Sequence, residues 1–339
     1  MHYLITGNQG FIGSILSNAL IGAEHTISGI DIRDEGVGNR PGSRFVQGDI
    51  RDRAVLREAM SGADCVIHLA AEHADSNIPS QRYFAINENG TKSLLDAATE
   101  HGISKFVLFS SVAVYGLPGR ATEETPPSPT HPYGASKLGA EAAVERWVSD
   151  DPARAAIILR PTAVFGPENY ANLYRLISMV CEGTFRWIGK GNNIKSVAYV
   201  ENLVAATLYL LGRMESGIQV YNYSDDPQLR MKQLVDLIAA KAGVQVDRRR
   251  IPYPLALLGG RMLALWSWAT GRASEITVPR IKKFCMHTDY PTDKLRALGC
   301  RQKYTLEQGI EKTVQWYLNH EMQVSGTRSS VAETKEGLI

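Results

Sequence analysis

Cysteine is scarce in this 339-residue chain: Cys65, Cys181, Cys285 and Cys300 stand far apart. None has the short spacing of a metal site, and no disulfide framework is implied, which points to a reducing, cytoplasmic compartment. Charge of one sign is also lacking. The 37 Lys and Arg against 35 Asp and Glu leave a net +2, which creates no whole-chain field for nucleic acid. No uncharged apolar run approaches the ~20 residues that span a bilayer. No leader peptide is expected, since a strand pattern begins at His2. No internal repeat is found. The remaining composition is that of a globular protein with one large or two modest domains.

The first informative stretch follows that strand. His2 to Thr6 runs into Gly7-Asn8-Gln9-Gly10-Phe11-Ile12-Gly13 and then into a helical pattern through Leu20. A glycine turn between strand and helix lets backbone N–H groups approach a pyrophosphate at a helix N-terminus. The next strand, Thr26 to Ile30, ends at Asp31, where a carboxylate accepts hydrogen bonds from an adenosine ribose and repels a 2′-phosphate. This favours NAD over NADP, although Arg33 nearby suits a phosphate. Asp49, in Gly48-Asp49-Ile50, is placed for the adenine edge, or for the N-cap of a helix over 51–60. Cys65 to Leu69 reads as the fourth strand. The small Ala70 and Ala71 after it leave room for a cofactor, and Glu72 and His73 follow as candidate substrate contacts. Strands alternating with helices predict an α/β fold, a doubly wound parallel sheet.

A fifth strand, ending at Phe109, leads to Ser110 and Ser111. A Pro- and Thr-rich loop then delivers Tyr133-Gly134-Ala135-Ser136-Lys137. Tyr133 and Lys137, at i and i+4, share one helix face. An ammonium beside a phenol favours the phenolate, and a phenol so activated can take a proton from an alcohol. Ser111 could share the same substrate oxygen. By itself the pair also fits a solvated lysine beside a half-buried tyrosine.

A sixth strand, Ala156 to Leu159, ends at Arg160-Pro161. The organisation then changes, which predicts a nucleotide-binding domain over 1–165 with later segments returning to it. A smaller substrate-capping domain is expected over 166–320 and a disordered tail over 321–339. The segment Ile251 to Thr270 is apolar almost throughout, with Trp266 and Trp268 near its end. Arg248-Arg249-Arg250, Arg272, Arg280, Lys282 and Lys283 flank it. It fits either a helix lying in a membrane interface, with contact over 251–272, or a buried helix pair.

These residues resemble the extended short-chain dehydrogenase/reductase superfamily in its nucleotide-sugar epimerase/dehydratase branch, through Gly7, Gly10 and Gly13, Asp31, Asp49-Ile50, Ser111, Tyr133 with Lys137, and Arg160-Pro161. The resemblance covers the chain to about residue 320. It implies a Rossmann sheet, and catalysis by Ser111, Tyr133 and Lys137. It also implies cofactor contacts from Gly7, Gly10, Phe11, Ile12, Gly13, Asp31, Asp49, Ile50, Leu69, Ala70, Ala71, Tyr133, Lys137 and Pro161. Glu72, His73, Ser111 and Lys195 are implied substrate residues. A homodimer through the helices near 84–99 and 133–148 is usual in the superfamily.

A closer similarity lies in Ala70 to His73, Lys195 to Val200, Tyr221 to Tyr223, Pro252 to Pro254 and Lys282 to Cys285. It is to bacterial 4-epimerases acting on N-acetylglucosaminyl-diphospho-undecaprenol, in O-antigen synthesis. That implies an NAD-dependent isomerase with a polyprenyl-linked substrate at the inner face of the cytoplasmic membrane. Two departures matter. Dehydratases of the superfamily carry an acidic pair after the serine position, where Val112 and Ala113 stand here. UDP-galactose-type epimerases carry an asparagine where Ala163 stands, so the diphosphate is held otherwise. A 4-ketoreductase or dehydrogenase using NAD(P)H is the alternative enzyme, and an NAD(P)-sensing protein without chemistry the alternative outside catalysis.

Overall fold

The computed structural model describes residues 1–34, 41–73, 78–117, 119–270 and 277–336, without the side chains of Asn172, Trp268, Ala269 and 322–336. The described chain forms two compact units. One comprises Met1–Val164, Val200–Ser224 and Tyr290–Lys303; the other comprises Phe165–Tyr199, Asp225–Asp289 and Tyr304–Ile339.

The first unit is built on a seven-stranded parallel sheet. Its strands are β1 (His2–Thr6), β2 (Thr26–Asp31), β3 (Ser43–Gln47), β4 (Cys65–His68), β5 (Lys105–Phe109), β6 (Ala155–Pro161) and β7 (Gly217–Tyr223). Their spatial order is β7-β6-β5-β4-β1-β2-β3. Helices cover a parallel sheet on both faces, so central strands are apolar along their whole length; every residue of β4 and β6 is buried. The helices are α1 (Phe11–Gly22), α2 (Arg53–Ala59), α3 (Asn89–Glu100), α4 (Pro132–Ser149) and α5 (Val200–Leu211). The helical segment expected around 84–99 begins earlier, with a short turn Ser80–Tyr83 and one π turn Phe84–Glu88 before α3.

The order reverses at β1. Strands β2 and β3 lie to one side of it and β4 to β7 to the other, so the crevice beyond the carboxyl ends of β1 and β4 is the topological switch point. Ligands bind there in such sheets.

In the second unit, α6 (Met231–Ala242) packs on α9 (Leu306–Glu336), with α7 (Tyr253–Thr270) and α8 (Val278–Cys285) between them in sequence. The last helix continues to Glu336, past the point near His320 where composition predicts a tail, and no proline interrupts the stretch.

Candidate active site

The glycine turn lies at the switch point. Gly7 has φ +71°, and a Cβ there would sit 2.8 Å from the Ala70 nitrogen, so the turn after β1 rests directly on the backbone after β4. A Cβ on Gly13 would lie 2.1 Å from the Gly7 carbonyl oxygen. Any side chain at either position would push turn and helix apart. Gly10 is the N-cap of α1, which places Phe11 and Ile12 in its first turn.

Asp31 ends β2 and is buried. Its Oδ2 accepts from the Gln9 N–H at 3.2 Å and its Oδ1 from the Arg33 N–H at 3.1 Å. Each oxygen keeps lone-pair capacity for a further donor. The Arg33 guanidinium turns to the same carboxylate, 3.7 Å away. Asn8 Oδ1 is a buried acceptor with no hydrogen-bond partner among the described residues. A glycine turn at a helix N-terminus, an acid at the end of the second strand and an unsatisfied buried acceptor fit a dinucleotide.

The remaining sequence-derived candidates for that ligand divide. Leu69, Ala70 and Ala71 follow β4 and are partly buried. Pro161 ends β6. Ile50 turns into the core, where a Cβ on Gly90 would lie 2.6 Å from its Cδ1. Asp49 is no N-cap: Asp52 caps α2, its Oδ1 accepting from the Ala54 N–H at 2.8 Å. Asp49 instead receives Arg51 on both oxygens, at 2.9 and 2.6 Å, which holds its carboxyl below the usual range.

Tyr133 and Lys137 lie in the first turns of α4, after Pro132 at its start. Their environments differ. Tyr133 is half-buried, edge-on to Tyr83 and stacked near His131. Lys137 is 3% exposed, which excludes the reading of a solvated lysine. Its Nζ donates to the Phe109 carbonyl at 2.8 Å. Burial pushes its pKa down to about 8, against an opposing pull from Glu141. Ser111 is the N-cap of the 3₁₀ turn Val112–Tyr115, its Oγ accepting from the Ala113 N–H at 3.2 Å. A Cβ on Gly134 would lie 2.4 Å from the Ala113 oxygen, so α4 presses directly on the turn that Ser111 caps. That approach and the Lys137–Phe109 bond bring Ser111, Tyr133 and Lys137 to one place beyond the end of β5.

Two buried polar networks hold this place, and sequence reasoning assigned neither. In the first, Ala70 N–H donates to Thr6 Oγ1 at 3.2 Å, and Thr6 Oγ1 meets His68 Nδ1 at 2.7 Å. His68 Nε2 meets Thr91 Oγ1 at 3.1 Å, and that hydroxyl donates to the Asn87 carbonyl at 2.5 Å. Since Thr91 spends its proton on Asn87, it accepts from Nε2–H, and Nδ1 is left to accept from Thr6. The neutral ring completes the chain. Burial, with the Lys137 charge behind it, pushes the His68 pKa down to about 3. The Asn87 side chain sits in the π turn. It accepts from the Glu72 N–H at 2.8 Å and donates to the Glu72 carbonyl at 3.0 Å and to Ser136 Oγ at 2.9 Å. It thereby ties the segment after β4 to α4.

The second network centres on Glu141, one turn beyond Lys137. Its carboxylate receives Arg160 Nε at 2.9 Å, Arg160 Nη2 at 2.5 Å and the Ser110 hydroxyl. Arg160 Nη1 donates to Tyr115 Oη, and that phenol donates to Asn222 Oδ1, each at 2.8 Å. The available signal was the placement of an acid and an arginine at apolar positions of α4 and β6.

The candidate substrate residues are less gathered. The Glu72 carboxylate pairs with Arg82 at 2.8 Å, and His73 is exposed. Lys195 belongs to the second unit. Its Nζ donates to the Lys283 carbonyl at 2.6 Å, and burial pushes its pKa down to about 8. Among the described residues no group of three His, Cys, Asp or Glu side chains is arranged to hold a metal ion.

The sequence pattern of the NAD dependent epimerase/dehydratase family matches residues 3–223. The chain belongs to this family. Its cofactor is accordingly NAD. A relative of Escherichia coli O157:H7, N-acetyl-alpha-D-glucosaminyl-diphospho-ditrans,octacis-undecaprenol 4-epimerase, is 36% identical over 324 residues, covering 94% of this chain and 95% of the relative. The dTDP-glucose 4,6-dehydratase of Streptomyces griseus is 30% identical over 339 residues, covering 94% of each. Among solved structures, the UDP-glucose 4-epimerase of Thermotoga maritima superposes with a TM-score of 0.74 at 22% identity, covering 94% of this chain and 99% of that one. That likeness speaks for the fold alone.

Proposed function

We propose that the chain is an NAD-dependent 4-epimerase of a diphosphate-linked N-acetylhexosamine, acting through transient oxidation at sugar C4. The observation that carries this reading is the approach of Ser111, Tyr133 and Lys137 to one another beyond the end of β5, beside a turn, Val112–Tyr115, whose first two side chains move no proton. An acidic pair there would favour elimination of water; Val112 and Ala113 leave the proton traffic to Tyr133. Similarity to the Escherichia coli epimerase supports the choice of sugar and carrier.

Tyr133, as phenolate, takes the proton of the sugar 4-hydroxyl, and the buried ammonium of Lys137 stabilises that phenolate. Ser111 donates to the same oxygen as it becomes a carbonyl. Bound NAD supplies the hydride acceptor at C4 and the donor that restores it. The protein releases the 4-keto sugar from neither carrier nor site; the sugar turns over, and Tyr133 returns its proton to the C4 oxygen, forming the epimeric 4-hydroxyl and restoring the phenolate. Asp31 selects NAD by receiving ribose hydroxyls. Lys195 carries the charge assigned to the diphosphate, and Glu72 and His73 are assigned to the substrate side.

The reading extends to a membrane-borne substrate. Leu255, Leu258, Met262, Leu265 and Trp266 are 47–68% exposed. At 3.6 residues per turn they fall within an arc of about 100°. Small Ala256 and Gly260 face inward, with Ile281 of α8 packed against Gly260. Large side chains outward and small ones inward reverse the usual order of a globular surface. Residues 248–283 carry eight basic side chains against one acid, which suits an anionic bilayer face. The contributions expected of Trp268 and Arg272 lie outside the described residues. No helix among the described residues is long and apolar enough to cross a membrane, so the proposed contact is peripheral, on the cytoplasmic side. Helices α3 and α4 remain the surface proposed for a homodimer.

The test is a paired assay. Protein with NAD receives N-acetylglucosaminyl-diphospho-polyprenol in one tube and UDP-N-acetylglucosamine in the other, with the C4 epimer read by chromatography. Conversion of the lipid-linked sugar without net NADH supports the reading. Conversion of UDP-sugar alone overturns the lipid carrier, and stoichiometric NADH consumption on a 4-keto sugar makes the chain a reductase.

A further inference from the structure

We infer that Glu141 is a positioning residue of the Tyr133–Lys137 site, fixing the turn that carries Ser111 and keeping Lys137 in its cationic form. This rests on the epimerase reading for its consequence on turnover, but not for its geometry.

Three successive residues at the end of β5 are each tethered. The Phe109 carbonyl receives Lys137 Nζ at 2.8 Å. The Ser110 hydroxyl donates to Glu141 and its N–H to the Leu159 carbonyl at 2.7 Å. Ser111 caps the following turn. Glu141 is 1% exposed and lies one helical turn after Lys137. It therefore holds the middle tether from the same helix that presents Tyr133 and Lys137, so helix and turn keep register.

Packing alone gives no reason for an acid here. Burying an Arg–carboxylate pair costs about as much as it returns, and an apolar pair of similar shape would serve stability as well. What Glu141 adds is a negative charge beside a buried cation. The groups that act on Lys137 are Glu141 on α4, the neutral His68 on β4 and the Phe109 carbonyl on β5, with Tyr133 at i−4 on the same helix face; Arg160 on β6 pairs with Glu141, and Glu145 on α4 feels that pair. Among these, Glu141 alone opposes the burial that drives Lys137 towards its neutral form. A neutral Lys137 would not stabilise a phenolate.

The test is a titration of Lys137 in the NAD-bound protein, read by NMR of isotope-labelled lysine side chains and assigned with a Lys137→Arg control, together with the pH profile of kcat. In Glu141→Gln the Lys137 midpoint is expected to move down by roughly one pH unit. The alkaline fall of kcat should move with it while KM stays within twofold, because Glu141 touches no substrate. Glu141→Asp, which restores the charge, should recover most of the shift. An unmoved midpoint, or a kcat lowered equally at every pH, would overturn the inference. If Glu141→Gln does not fold, the double variant Glu141→Gln/Arg160→Met leaves no unpaired buried charge; its midpoint must also move down, and no movement overturns the inference. The lysine titration needs no sugar, so it decides the matter even where the epimerase assay finds no turnover.

Discussion

At the scale of single residues, the contrast lies between a half-buried tyrosine, Tyr133, and a buried lysine, Lys137, one helical turn apart. Tyr133→Phe is expected to lower kcat by 10²- to 10⁴-fold, the usual worth of a general base, with NAD binding retained as read by fluorescence titration. The pKa of Lys137 is pushed down to about 8, so its cation is present below that pH and lost above it. Activity should fall as pH rises through about 8; a plateau reaching the ordinary lysine value of 10.5 would remove the cation from the mechanism. His68 gives a prediction about stability. Its folded pKa is about 3 against 6.5 for the free side chain, so between these values the unfolded chain binds a proton that the folded one does not. Stability therefore falls as pH drops below 6.5, by up to ~1.4 kcal/mol per unit from this group. Urea unfolding at several acidic pH values measures that slope, and His68→Gln should flatten it. Tyr133 and Lys137 were legible in the sequence because i and i+4 share a face. The Tyr115–Asn222 bond was not, because it joins positions 107 apart.

At the scale of elements, the start of α4 is where fold and chemistry constrain each other. Helix propensity alone favours alanine over Gly134 by about 1 kcal/mol. The added Cβ would meet the Ala113 oxygen at 2.4 Å, and relieving such overpacking costs about 1–3 kcal/mol. Sterics should win: Gly134→Ala is expected to lower the melting temperature and, by displacing the Ser111 turn, to lower kcat more than KM rises. A stabilised variant would show that α4 has room to move. The parallel sheet and the glycine turn were readable because near-continuous apolar runs, glycine spacing and the acid after β2 are local signals. The π turn that aims Asn87 inward has no such signal: its residues, Phe84–Glu88, continue a helical pattern on both sides. The cap of α2 was displaced from Asp49 to Asp52 for a related reason, since both are acids before the same helix and only the backbone path distinguishes them.

At the scale of the whole molecule, the exposed stripe of α7 is the feature on which the proposed membrane contact rests. Among the described residues of α7, Ala256 and Gly260 are buried, Leu257 and Leu263 are half-buried, and Leu255, Leu258 and Leu265 are exposed. Anionic phospholipid vesicles should therefore retain the protein on sedimentation, less well as salt rises. Leu258→Asp with Leu265→Asp should release it while leaving NAD binding intact. Retention unchanged by both substitutions would place the contact elsewhere.

The seventh strand has a further consequence. Residues 217–223 pair with β6 along its full length, and Asn222 supplies the acceptor for the Tyr115 hydroxyl. The chain reaches this strand only after passing through the first stretch of its other unit, Phe165–Tyr199. On the ribosome, the nucleotide-binding half must wait with an open sheet edge and an unanswered tyrosine until residue 223 emerges. The same interleaving forbids modular inheritance: no cut at a single point yields a complete cofactor-binding piece, so this half can be exchanged between relatives only as three separate stretches of gene.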